Sequence, residues 1–192
     1  KMSEEMLVCH CSPTLAGLKT GSLFSCPYSS QKMIIKEIRE FNQKLTQKGI
    51  RIIPVRISDK RMLVYVYRPE KLKEDFSDEK TQIILKCKGY DCTNLSQCIC
   101  RLIQKLQSDP DFPHEIGLFL GYPAEDVKGF IENKAACSKC SGCWKVYGDE
   151  QAARILFKKY KNAQKFIAGD GKVAWLLNSL RLLYNHKLQK GR

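Results

Sequence analysis

Apolar residues Ile34, Ile35, Ile38, Phe41 and Leu45 recur at helical spacing and predict a helix capped by Ser29 or Ser30 and running through Lys48. Gly49 follows in the position that ends such a helix. Two β-rich runs come next, Ile50–Ile57 and Met62–Arg68, joined by Ser58-Asp59-Lys60-Arg61. They predict a hairpin. In its second strand Leu63, Tyr65 and Tyr67 alternate with Met62, Val64 and Val66, so both faces are expected to be covered. Pro69 opens a short helix. Ser77 starts another, to about Lys88, and Asn94 caps a third, to about Gln107. There Ile99, Leu102, Ile103 and Leu106 lie on one side. The apolar run Glu115–Leu120 reads as a buried strand. Pro123 starts a helix to about Asn133, Trp144–Tyr147 reads as a short strand, and Asp149 caps a helix to about Ile167. Val173–Leu188 is a last amphipathic helix. Residues 12–30, rich in Ser, Thr, Gly and Pro, read as a loop with room for one short helix. Helices outnumber strands without alternating with them. The expected fold is α+β: a small mixed or antiparallel sheet, from the 50–68 hairpin and strands near 115–120 and 144–147, packed with several helices. Residues 1–167 are expected to form one domain, and 168–192 a basic C-terminal helix.

Composition narrows the class. The chain has 192 residues, enough to bury a full core, and its hydrophobic fraction of 43% is that of a globular protein. No apolar run spans a bilayer, and Met2–Val8 carries Glu4 and Glu5 rather than the core of a signal peptide. A cytoplasmic protein without a transmembrane segment is expected. Its ten cysteines then read as free thiols, metal ligands or catalytic groups. Cys87, Cys98 and Cys100 lie in apolar helical patterns and read as packing. The net charge of +13 is uneven: residues 151–192 hold ten Lys/Arg and one acid. That segment suits nucleic acid or an acidic protein partner, and equally a solvated helix face.

Three groups of residues could carry chemistry. In the first, Cys11 precedes Ser-Pro-Thr, a helix start, and His114 opens the later strand. A helix N-terminus or an imidazole makes a thiol nucleophilic. The order, a Cys at a helix start before a His at a strand start, resembles papain-like cysteine peptidases. Cys11 is the candidate nucleophile and His114 the base. Glu115 is a candidate to orient the imidazole, although strand alternation points it the other way, with Asp126 or Glu125 as substitutes. His10, Lys19, Ser22 and Tyr122 are the candidate ligand-binding residues, Lys19 as an anchor for an anionic group on a small molecule or peptide. In the second group, Cys137, Cys140 and Cys143 have spacing that suits zinc or an iron–sulfur cluster, with Cys92 or Cys26 brought in only by the fold. The third joins Cys9, His10, Cys11 and Cys26 into a metal site with or without His114, but in a strand Cys9 and Cys11 would point one way and His10 the other, which counts against it. Lys19-Thr20-Gly21-Ser22 resembles the end of a phosphate loop but lacks the glycine pattern before it.

Several motifs in order carry a family resemblance: His10-Cys11-Ser12-Pro13-Thr14-Leu15-Ala16-Gly17-Leu18-Lys19, Ser22-Leu23-Phe24, Pro113-His114-Glu115-Ile116-Gly117-Leu118-Phe119-Leu120-Gly121-Tyr122-Pro123, and Trp144-Lys145-Val146-Tyr147-Gly148-Asp149. Over about residues 5–165 the chain resembles the domain-of-unknown-function 3793 family of mostly anaerobic bacteria. The resemblance implies a cytoplasmic bacterial protein and supplies no reaction. The basic tail fits the family pattern poorly.

Overall fold

A computed structural model describes residues 2–108 and 111–169. Three seven-residue strands, β1 (Gly21–Pro27), β2 (Arg51–Ile57) and β3 (Arg61–Tyr67), form an antiparallel sheet in the order β1-β3-β2. The hairpin thus forms where the apolar alternation predicts it. β2 is an edge strand, so Pro54 removes no ladder hydrogen bond there, and the register shifts between Pro54 and Arg56. On one face Phe24, Cys26, Met62, Val64 and Val66 meet Leu7, Cys11, Leu15, Ile34 and Ile38. These helical residues come from α1 (Glu4–Leu15) and α2 (Gln31–Leu45). On the other face Tyr65 and Tyr67 meet Leu72, Leu85, Leu102 and Leu118. Those come from α3 (Pro69–Asp75), α4 (Glu79–Cys87), α5 (Leu95–Ser108) and α6 (Ile116–Phe119). α7 (Ala124–Asn133), a short antiparallel pair β4 (Cys140–Ser141) and β5 (Lys145–Val146), and α8 (Glu150–Gly169) complete the described chain. α8 packs on α1. The fold is α+β. The helix expected over Val173–Leu188 lies outside the described residues.

Two expectations fail. Residues 12–30 are not a loop: α1 continues through Leu15, and β1 follows. Leu7, Cys11 and Leu15, spaced by four, bury one face of α1, and that burial outweighs the poor helix propensity of Ser12-Pro13-Thr14. In β1 the polar Ser22 lies at a buried position because its hydroxyl shares a 2.9 Å hydrogen bond with Thr14 Oγ1. The segment 115–120 is not a strand. It forms the single turn α6, in which Leu120 N donates to Ile116 O at 3.1 Å. All four residues of that turn are buried, and periodicity cannot separate a short buried helix from a buried strand.

The corner between α1 and β1 depends on Arg68, at the end of β3. Its Nε donates to Thr14 O and its Nη2 to Leu15 O, both at 2.7 Å, and Nη1 donates to Lys48 O at 3.1 Å. Its backbone N–H donates to Thr20 O at 2.9 Å. The last carbonyls of a helix have no partner within it, and a guanidinium fork supplies several donors at once. No described helix is long and apolar enough to cross a membrane. Arg68→Ala is expected to destabilise the protein by about 3 kcal/mol, because three carbonyls lose a charged donor. The readout is a lower urea midpoint at unchanged slope. Arg68→Lys should recover little of the loss, since one ammonium cannot serve both segments.

Candidate functional site

Segments 19–21 and 119–122 abut at the end of the central sheet. Two glycines permit the approach. A Cβ on Gly21 would lie 2.6 Å from Phe119 O and from the Tyr65 ring. Gly121, at φ +76°, would bring a Cβ to 2.6 Å from Thr20 Oγ1. Tyr65 donates its hydroxyl to Phe119 O at 2.6 Å, and Thr20 donates to Asp75 Oδ2 at 2.5 Å. Burial raises the Asp75 carboxyl, and the Thr20 hydroxyl opposes that rise.

Lys19 and Tyr122 meet at this junction. The Lys19 ammonium lies over the Tyr122 ring, 5.0 Å from its centroid. Tyr122 stacks on Trp144 with centroids 4.6 Å apart and planes 26° apart, and Trp144 meets Phe157 edge-on at 4.6 Å. Asp126 pins the indole. Its Oδ2 accepts from Trp144 Nε1 at 2.6 Å, and its Oδ1 accepts from Tyr147 N at 2.7 Å and Gly148 N at 2.8 Å. Three donors explain how a carboxylate only 2% exposed is tolerated in α7. Among the described residues Lys19 has no carboxylate partner. Burial pushes its amine down to about 8, while the Cys143 and Cys11 thiols act the other way.

Cys11 and His114 are not brought together. Cys11 is fully buried in α1, in the apolar cluster on one face of the sheet, whereas the residues following His114 belong to the cluster on the other. Burial pushes the Cys11 thiol up to about 12, against the opposing effects of Lys19 and a hydrogen bond with Ser22. Cys11 lies inside the helix rather than at its start, so it gains no help from a helix N-terminus. His114 is exposed and meets Phe130 edge-on at 5.0 Å. Glu115 does not orient it. That carboxylate is buried, accepts from Lys105 Nζ at 2.7 Å, and accepts from the Tyr90 hydroxyl at 3.1 Å. Burial would raise its pKa, but the Lys105 hydrogen bond and charge bring it below the ordinary value. Of the two substitutes expected to serve His114, Asp126 is occupied by Trp144 and Glu125 pairs with Lys80 at 2.5 Å. His10 is exposed and stacks on Phe24 at 5.1 Å.

The family model described as Protein of unknown function (DUF3793) matches residues 7–171. The chain belongs to this family. No curated protein and no solved structure matches it. The DUF3793 match takes in both segments of the junction and the Trp144 clamp. What the sequence motifs did not reveal is the link between them: Asp126 reads as an ordinary acid in a first helical turn until Trp144 is placed against it.

The cysteines of this DUF3793 chain divide by burial. Cys11, Cys26 and Cys98 are buried, and burial raises all three thiols. Cys98 packs as its helical position predicts, but Cys87 and Cys100 are exposed, because they fall on the solvent side of α4 and α5. Cys137 and Cys143 are exposed and Cys140 is half-buried. Among the described residues no three His, Cys, Asp or Glu side chains converge as a metal ion requires. Cys137 lies in a left-handed turn at φ 57°, and Cys143 lies close enough to Lys19, Tyr122 and Tyr160 to affect their ionisation. Iodoacetamide on the native protein is expected to label Cys9, Cys87, Cys100, Cys137 and Cys143 well before Cys11, Cys26 and Cys98. Peptide mapping over a time course checks this. Early labelling of Cys11 would mean that the core around it opens.

Proposed function

We propose that this DUF3793 protein binds a small anionic molecule, or the anionic end of a peptide, at the Lys19–Tyr122 junction. The observation that carries the reading is the half-buried Lys19 ammonium, which rests on an aromatic wall with no acid beside it among the described residues. A charge held that way costs stability, and an incoming anion would offset the cost. Tyr122 and Trp144 supply the apolar wall of the site and Lys19 its charge. Ser22 stands behind the wall, holding Thr14, and His10 stacks on Phe24 away from Tyr122. Thiol chemistry at Cys11 draws no support from its burial. Cys143 is the exposed thiol beside Lys19.

The sign of the pH effect follows from the depressed amine. The folded-state value near 8 lies below the ordinary 10.5, so between the two the unfolded chain holds the extra proton. Stability contributed at Lys19 therefore rises as pH increases from about 8 toward 10.5. Lys19→Met should raise Tm at neutral pH and remove that dependence. Inorganic phosphate should protect Lys19 of the native protein from trinitrobenzenesulfonate, and the protection should fade as pH rises through about 8. If phosphate leaves the labelling of Lys19 unchanged at neutral pH, the site is not an anion site.

A second reading rests on α8. Lys158, Lys161 and Lys165 are exposed and spaced to share one face with Arg154, which Glu150 pairs at 2.6 Å. Such a stripe suits nucleic-acid phosphates. Fluorescence anisotropy with a labelled DNA duplex should then show affinity falling steeply with salt. Binding that is absent at low salt removes this reading.

A further inference from the structure

Among the described residues two lysines lie over tyrosine rings, and their surroundings differ. Lys105 lies 4.6 Å from the Tyr90 centroid, and its ammonium donates to Glu115 Oε1 and to Lys88 O, each at 2.7 Å. Its charge is thus answered by a carboxylate. Lys19 lies over Tyr122 at 5.0 Å with no carboxylate partner among the described residues, and its neighbours include the Tyr122 ring, which Trp144 backs, and the Cys143 thiol. Its backbone is held in place: the N–H groups of Leu18 and Lys19 both donate to Pro13 O, at 2.9 and 3.1 Å. A held amine in an apolar, partly open place gives up its proton readily and can act as a nucleophile.

We infer that Lys19 captures a carbonyl compound bearing an acid group, an aldehyde or 2-oxo acid, as an imine at the Lys19–Tyr122 junction. The inference rests on the reading of that junction as a ligand site and names the class of ligand. The neutral amine attacks the carbonyl carbon, forming the C–N bond while one amine proton passes to the carbonyl oxygen. The carbinolamine then loses its hydroxyl as water, and the C=N bond forms. Amine and carbonyl go to imine and water, so no oxidant or reductant is required. The Tyr122 hydroxyl, on the ring beneath the amine, donates to Cys143 O at 3.5 Å in the free protein and would turn from it to give the leaving hydroxyl its proton. It stays protonated at neutral pH because burial pushes it up to about 12. The Lys19 ammonium attracts the carboxylate of the arriving ligand, and its proton passes to solvent water before the neutral amine attacks.

The test is reductive trapping on the full chain. Glyoxylate and sodium cyanoborohydride are added at neutral pH, and the modified lysines are mapped and timed by mass spectrometry. Lys19 should be alkylated about tenfold or more faster than exposed Lys158, since its neutral fraction is far higher than that of an ordinary lysine. Tyr122→Phe should slow trapping at Lys19 while leaving Lys158 unchanged. Lys19→Arg should abolish the fast phase, with far-UV circular dichroism showing that the variant is folded. Should Lys19 react no faster than Lys158 in the wild-type protein, the inference is wrong. Phosphate protection of Lys19 without fast trapping overturns the imine and leaves the anion site standing. Fast trapping without phosphate protection supports the imine and overturns the anion site. The absence of both overturns both.

Discussion

One guanidinium determines where the junction can be. Arg68 leaves β3 and caps two segments at once, the end of α1 through Thr14 O and Leu15 O and the turn after α2 through Lys48 O. Helix C-termini present carbonyls that need outside donors, and the Ser-Pro-Thr end of α1 is intrinsically weak. That fork ties down the end of α1, and the Leu18 and Lys19 N–H groups, both donating to Pro13 O, carry the path on toward Thr20. The Arg68 backbone also holds Thr20 O, and Lys19 is delivered one residue away from a fixed point. Gly17, at φ +75°, makes the reversal between them possible.

The facing wall is set by a second polar clamp of opposite sign. Asp126 collects three donors from Trp144, Tyr147 and Gly148, and so pulls the β5 strand and the loop after it against α7. Gly129 opens the space for this. A Cβ there would come within 2.3 Å of the Tyr147 ring, so any other residue would push the loop away. The indole then stands where Tyr122 can stack on it. Arg68 and Asp126 do not touch, yet one positions the amine and the other the ring beneath it. A change at either should alter the site through geometry alone.

The parts of the fold that were legible in the sequence are those where a single period dominates. The hairpin was visible because Met62–Tyr67 alternates, α2 and α5 because their apolar residues recur at helical spacing, and α7 because Pro123 and the acids after it mark a helix start. The last turn of α1 and all of β1 were hidden by composition. Ser12, Thr14 and Ser22 look like loop residues, and they are buried because Thr14 and Ser22 share a hydrogen bond and Ser12 donates to Val8 O. α6 was hidden for a different reason: four residues buried on every side carry no period. The site was half legible. Lys19 and Tyr122 stood out in two unusual segments that the fold joins through Gly21 and Gly121. Cys11 and His114 stood out for their chemistry alone, and the sheet between their clusters is a long-range fact that local pattern does not contain.

Charge supplies the last discrimination. Each deeply buried carboxylate in the described chain is answered: Glu115 by Lys105 and Tyr90, Asp126 by an indole and two backbone N–H groups. The half-buried Asp75 has the Thr20 hydroxyl. A chain that satisfies its acids this fully can place a base beside an acid, and at Lys105 it does. Leaving Lys19 with only a ring beneath it therefore runs against the pattern of the rest of the molecule. An unanswered charge of that kind destabilises the folded state, and it persists where the missing counter-charge arrives from outside. Among the described residues the junction is defined as much by the carboxylate it lacks as by the side chains it holds.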